Sequence, residues 1–265
     1  MAEGQESGRS RFGEVAENYA RSQLFAAGED LQWLVAEAGL QGDEVVVDVG
    51  TAAGHTAMAL APFARQVVGV DPVPNMLERA RQLATERGLH NTLFLVGAAD
   101  DLPLPNQSAD LVVTRYAAHH FPNLDDALRE FRRVLVPGGR LLIVDVVSPS
   151  DPDLDAFLHR VEVLRDPSHV RDWSLAEWEQ AAARHGFALR VARTWDLALD
   201  FQDWVERMRT PPDAVAELQR LMATAPLAAR ETFRIVGDPV VSFCLKSALI
   251  EALPADAPGE NAPGA

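Results

Sequence analysis

The stretch VVVDVGTAAGHT, starting at Val45, and the run QVVGVD, ending at Asp71, carry the residue types and spacing that bind the nucleoside half of a cofactor. Gly50 frees the backbone to turn at the end of an apolar run. Gly54, lacking a β-carbon, lets a ligand approach the start of the next helix, where unpaired N–H groups favour electron-rich atoms. Asp71 follows the turn by about 20 residues, where a nucleoside-binding fold places its ribose-binding acid. A second set of residues has the chemistry of proton transfer. His119 and His120 follow a further apolar run, and His169 lies within RDPSHVR. Imidazole titrates near neutral pH, so each is a candidate base. Plainer readings exist. Asp71 can cap the helix after Pro74, and one of the paired histidines can cap the helix after Pro122 while the other packs beneath it. Asp48, a charge inside an apolar strand, needs a partner: a turn amide or a cofactor amine.

These side chains need a frame. Val45 to Val49 is apolar except for Asp48, as expected of a parallel strand covered on both faces. Ahead of it, Glu29 to Ala38 places Leu31, Leu34, Val35 and Ala38 on one helical face. Pro74 and Asn75 open a helix that Gly88 ends. Strands are predicted at Thr92 to Val96 and Asp110 to Thr114. A helix over Asn123 to Leu135 is stopped by Pro137, Gly138 and Gly139, and a fifth strand runs from Arg140 to Val147. The repeating strand–helix order predicts an α/β fold, a doubly wound, mostly parallel sheet with right-handed crossovers. Ligands of such sheets lie at the carboxyl edge, where His119 and His120 fall. After Ser148 the pattern turns helical at Leu154 to Leu164, Leu175 to His185, Phe201 to Met208 and Ala214 to Ala223. Phe187 to Ala198 and Val240 to Leu249 read as strands of an antiparallel edge.

A chain of 265 residues with 48% hydrophobic content can bury one large core. We divide it into an amino-terminal helical lid (1–40), a main domain (41–253) with helical coverings at about 150–185 and 200–235, and a disordered Pro/Gly/Ala-rich tail (254–265). The net charge of −15 repels nucleic acid and anionic membrane surfaces. Arg129, Arg132, Arg133 and Arg140 read as solvated helix and turn positions rather than a basic patch. Cys244 is the single cysteine, which excludes an intrachain disulfide and a cysteine metal cluster and fits a reducing cytoplasm. No apolar run reaches the length of a signal peptide or membrane span, so the chain reads as soluble.

The segments FGEVAENYARS, GTAAG, GVD, GAADDLPLPNQSADLV, YAAHHFPN and LVPGGRLLIVD occur in order and at matching spacing. Together they resemble the small-molecule branch of class I S-adenosylmethionine-dependent methyltransferases, the branch that includes ubiquinone and menaquinone biosynthesis enzymes. The resemblance covers Phe12 to Asp145. It implies a Rossmann-like sheet of seven strands, the sixth and seventh antiparallel, with a helical cap over the carboxyl edge. It implies S-adenosylmethionine as cofactor, with Gly50, Ala52 and Gly54 under its methionine and ribose parts and Asp71 on both ribose hydroxyls. Ala98 and Ala99 would border the adenine, Arg115 would lie beside the methionine portion through its backbone, and Tyr19 would close over the site. Ala52 departs from the family's GxGxG, and an acid often stands at the position of Ala98.

Methyl transfer needs alignment of the acceptor with the methyl group and exclusion of water, plus a base where the acceptor must lose a proton. His120, His119 and His169 are the candidates. Arg165, Asp166 and Arg171 can either bind a polar acceptor or pair among themselves, and Trp173, Trp178, Trp195 and Trp204 either wall an aromatic pocket or anchor the core. After the fourth strand the chain reads TRYAAHH rather than an NPPY-like sequence. With the negative charge, this favours a small-molecule acceptor at oxygen or carbon, with nitrogen less favoured. Two other readings stand beside it. A nicotinamide-dependent oxidoreductase would need glycines at Ala52 and His55, and a noncatalytic S-adenosylmethionine sensor or interaction protein would bind the cofactor without transfer. No metal is expected. The oligomeric state and the identity of the acceptor are not written in any pattern here.

Overall fold

The structure, a computed structural model, describes Asn18 and residues 26–255. Five strands pair in parallel: β1 (Val45–Val49), β2 (Gln66–Asp71), β3 (Thr92–Val96), β4 (Ala109–Arg115) and β5 (Leu135–Val146). β8 (Val240–Pro254) runs antiparallel between β5 and β6 (Phe187–Asp200). The order β3-β2-β1-β4-β5-β8-β6 reverses direction between β1 and β4 and so opens a crevice outside the carboxyl ends of those two strands. The expected Rossmann-like α/β sheet is therefore present. It carries one strand more than expected, the two-residue β7 (Val236–Gly237) clipped to β8.

Successive side chains of a strand point to opposite faces, and in this sheet both faces are covered. Val47, Val49, Val68 and Val112 meet Leu128 and Phe131 of α4 (Leu124–Val134) and Trp178 of α6 (Leu175–Arg184) on one face. Val46, Val67, Leu111 and Val144 meet Leu34 of α1 (Glu29–Ala38), Leu60 of α2 (His55–Leu60) and Leu77 of α3 (Pro74–Glu86) on the other. A third apolar cluster lies beyond the carboxyl edge. There α5 (Pro152–Arg165), α7 (Phe201–Arg207), α8 (Pro212–Ala223) and α9 (Leu227–Thr232) pack Leu158, Trp204, Leu218 and Ala229 onto Leu199, Phe243 and Leu245 of the long β6–β8 pair.

Several expectations change. Within 150–185, α6 lies on a sheet face with Trp178, Ala181 and Ala182 in the core, while α5 and the loop after it lie over the carboxyl edge. Helix α4 ends at Val134 rather than Leu135. Val136 precedes a proline and is steered out of helical conformation, so Leu135 already pairs with Ala109, and β5 bulges at Pro137, Gly138 and Gly139 before Arg140 pairs with Leu111. Pro254, placed in the tail by its composition, closes β8 opposite Phe187. The arginines form no basic patch: Arg129 and Arg133 pair with Asp126 and Glu130, and Arg140 bonds Glu251. Among the described residues no helix is long and apolar enough to cross a membrane.

Candidate active site

The glycine turn after β1 is held on three sides. The amides of Gly50 and Thr51 donate to Val70 O at 2.8 and 3.1 Å, which ties the turn to β2. Asp48 is buried, and its Oδ2 accepts from the Thr51 hydroxyl at 2.6 Å and from the Ala57 amide of α2 at 3.1 Å. Of the two partners foreseen for it, a turn amide or a cofactor amine, neither is the one seen: the turn supplies a hydroxyl and the amide comes from α2. Burial pushes the Asp48 carboxyl up to about 6 against those two bonds. Gly50 adopts φ 72°, and a β-carbon there would meet Ala117 Cβ at 2.4 Å. Gly54 adopts φ 81° and a β-carbon would press on Ala80 and Phe94. Both glycines are thus required by conformation and by space. Ala52 takes the same left-handed region, φ 45°, despite its methyl.

At the end of β2, Asp71 Oδ2 accepts from the Ala52 amide and Oδ1 from the Val73 amide, each at 2.9 Å, which fixes the carboxylate beside the turn. Asp71 does not cap α3, whose N-cap Val73 has no side-chain cap; its carboxylate instead ties Val73 to the glycine turn. Ala98 and Ala99 follow β3 at the same edge, Ala98 bridged to Asp101. Arg115 ends β4 with its side chain turned away, in a buried ion pair of 2.5 Å with Asp30 of α1. Tyr19 lies outside the described residues. Its neighbour Asn18 donates to the carbonyls of Glu206 and Arg207 at the end of α7.

All three predicted histidines converge, and the RDPSHVR loop brings the third one in. The His119 carbonyl accepts from the amides of Val170 and Arg171 at 2.8 and 3.2 Å, docking the loop on the segment after β4. The rings of His119 and His120 lie 4.3 Å apart, those of His119 and His169 5.5 Å, and His159 of α5 stands 5.8 Å from His169. Neither paired histidine caps a helix; Asn123 caps α4. His119 Nδ1 lies 2.7 Å from Oδ1 of Asp145, on the adjacent strand β5. His120 Nδ1 faces the Ser168 carbonyl at 3.2 Å. The cavity at this edge is lined on its polar side by Tyr116, His119, Glu162, Arg165, Asp172 and Arg207. Of the other residues singled out, Trp204 lines the cavity, Trp178 is core and Trp195 packs on Trp33. Asp166 accepts from Ser168, and Arg171 is taken up by Asp155 and Glu177.

The cluster splits the histidines electrically. Burial disfavours charge on His119, but Asp145, with Asp172 and Glu162 behind it, overcomes that and raises it to about 9. Burial and the neighbouring His119 charge lower His120 to about 4, and burial with the same neighbours lowers His169 to about 2. His119 is therefore the histidine with an orienting carboxylate, while the other two stay neutral. Sequence reasoning missed Asp145, Glu162, Asp172 and His159. Among the described residues, no three His, Cys, Asp or Glu side chains are placed to hold a metal ion.

A family model described as a methyltransferase domain matches residues 47–143. Over 246 residues the chain is 40% identical to the uncharacterized methyltransferase YcgJ of Bacillus subtilis, spanning 91% of this chain and 97% of that one. The chain belongs to the S-adenosylmethionine-dependent methyltransferases. The crystal structure of YcgJ superposes with a TM-score of 0.84 at 38% identity, covering 86% of this methyltransferase and 99% of YcgJ. A demethylmenaquinone methyltransferase of Thermus thermophilus is 36% identical over 145 residues, 52% of this chain and 65% of its own. Family membership removes the nicotinamide reading and disfavours the sensor reading.

Proposed function

We propose that this methyltransferase transfers a methyl group from S-adenosylmethionine to an oxygen or carbon of a small-molecule acceptor, with His119 as the base. The observation that carries the reading is the His119–Asp145 pair on the wall of a cavity at the carboxyl edge. The turn fits the cofactor, since the Asp71 carboxylate is held at a fixed place beside it by the Ala52 and Val73 amides. Gly50, Ala52 and Gly54 would cradle it, Asp71 would take its ribose hydroxyls, Ala98 and Ala99 would border its adenine, and the Arg115 backbone would flank its methionine end. Bound there, the cofactor supplies an electrophilic methyl on a sulfonium. Ala117 packs on Gly50 and stands two residues before His119, so the turn and the base belong to one rigid segment. With Asp145 at Nδ1, the Nε2 side of neutral His119 takes the acceptor's proton as the new bond to the methyl forms. A cytoplasmic setting fits the lone Cys244.

Calorimetric titration tests the reading. S-adenosylmethionine and S-adenosylhomocysteine should bind, NAD should not, and Asp71→Ala should abolish binding. A panel of phenolic, quinol and enolic acceptors should then yield methylated product that His119→Ala reduces by at least about 100-fold. Cofactor binding with no transfer to any member of the panel would overturn the assignment of activity.

A further inference from the structure

The cavity holds a second carboxyl group with an oxygen that no hydrogen bond of the fold or of the His119–Asp145 pair takes up. Asp172 is 4% exposed and lines the cavity, yet its Oδ2 has no hydrogen-bond partner. The nearest basic group, His169 Nε2, is 3.6 Å away, beyond hydrogen-bond reach, and His169 itself bonds through neither ring nitrogen. Buried polar atoms are almost always paired, so an unmet one needs a reason. The loop does not supply it, because its backbone is held by the His119 carbonyl and Arg171 by Asp155 and Glu177. A leucine would fill the space without an unmet oxygen.

We propose that Asp172 is a specificity-determining residue, hydrogen-bonding a second polar substituent of the acceptor close to the atom that His119 deprotonates. This rests on the methyl-transfer reading and narrows it. Val146, Leu197, Leu199, Leu245 and Trp204 give the wall an apolar side that suits a ring, and Tyr116, Glu162, Arg165 and Arg207 complete the lining. The acceptor class is thus a ring compound with two neighbouring hydroxyl or amino substituents, one for His119 and one for Asp172. Burial, and then the Glu162 charge, hold Asp172 well above the usual carboxylate range. The unmet oxygen accepts from a hydroxyl or an amino group, so either substituent can be met.

The test uses the full chain and three probes: catechol, phenol and toluene, titrated with and without S-adenosylhomocysteine. Catechol should bind about 10-fold or more tightly than phenol, and phenol more tightly than toluene, because a site built for a hydroxyl discriminates against its absence. In Asp172→Leu the catechol-to-phenol ratio should fall to about one, phenol affinity should hold, and Tm should be no lower than wild type. Asp172→Asn, which keeps the shape, should give an intermediate ratio. Equal affinity for catechol and phenol, no binding of any probe, an unchanged ratio in both variants, or a lower Tm in Asp172→Leu would each overturn the proposal. The S-adenosylhomocysteine titration reports separately on the cofactor reading.

Discussion

At the scale of single residues, the His119–Asp145 pair makes the sharpest claim. An aspartate at Nδ1 raises His119 to about 9, so the base is charged at neutral pH and must shed its proton to act. The rate should therefore climb with pH up to about 9, and Asp145→Asn should move that midpoint down towards about 6.5, the ordinary histidine value, while lowering the plateau. A kcat/KM profile of the two proteins decides it; identical midpoints would remove Asp145 from the role. The histidines were legible in the sequence because YAAHHFPN follows an apolar run, but Asp145 was not singled out. It ends the apolar run LLIVD as Asp71 ends QVVGVD, and the same rule applied to both would have found it. Glu162 and Asp172 carry no such signal, since their neighbours alternate charge and apolarity like any helix or loop. Ala52 offers a second check. Its left-handed backbone costs an alanine roughly 1–2 kcal/mol, partly offset by the extra freedom that glycine has when unfolded. Ala52→Gly should therefore raise stability by up to about 1 kcal/mol, and β-branched Ala52→Val should lower it by more than about 1 kcal/mol, as urea denaturation would register.

Among the elements, α1 depends on a partner that no local pattern reveals. Its apolar face was read from Leu31, Leu34, Val35 and Ala38, and its bounds agree with the structure, but Asp30 looked like an ordinary first-turn acid. It meets Arg115 across 85 positions of sequence, with side chains only 4% and 2% exposed. Arg115 precedes Tyr116, which holds a strained φ of 50°, and then the Ala117 that packs on Gly50. Removing one partner of a buried pair strands the other charge, so Asp30→Ala should cost roughly 3–5 kcal/mol. Asp30→Leu with Arg115→Met should recover most of that loss, and urea denaturation of the three proteins measures it. A change within about 1 kcal/mol for Asp30→Ala would mean that water reaches Arg115. Elements with clear punctuation, such as β1 and β3, were legible to the residue. Those fixed by long-range pairing were not: β6 and β8 extend past their predicted ends because each supplies the other's ladder, and α9 and β7 exist only against α5 and β8.

For the whole molecule, the sheet order gathers the glycine turn, Asp71 and the histidine cluster at one edge, and the price of that gathering is titratable groups under cover. The pH dependence of stability follows group by group. His119 has a folded value of about 9 against the ordinary 6.5. Its contribution is fully present below 6.5 and is lost as pH rises through about 9, because the folded chain holds a proton that the unfolded chain releases earlier. His120 and His169, lowered to about 4 and 2, act in the opposite sense and only below 6.5. Asp48, raised to about 6 from 3.8, has already given up its contribution by the time pH reaches 6.5. Tyr116 is pushed upward by burial and cannot act until well above 9. Asp172 and Glu162, whose carboxyls burial raises, act in the same sense as His119, so between about 6.5 and 9 the slope belongs to these buried groups together. Stability by urea denaturation should fall by a few kcal/mol across that window, and His119→Asn should reduce the fall. A wild-type curve that is level between pH 6.5 and 9 would mean that Asp145 and its neighbours do not hold the proton on His119. The alkaline rise in rate argued for the pair would then lose its cause as well.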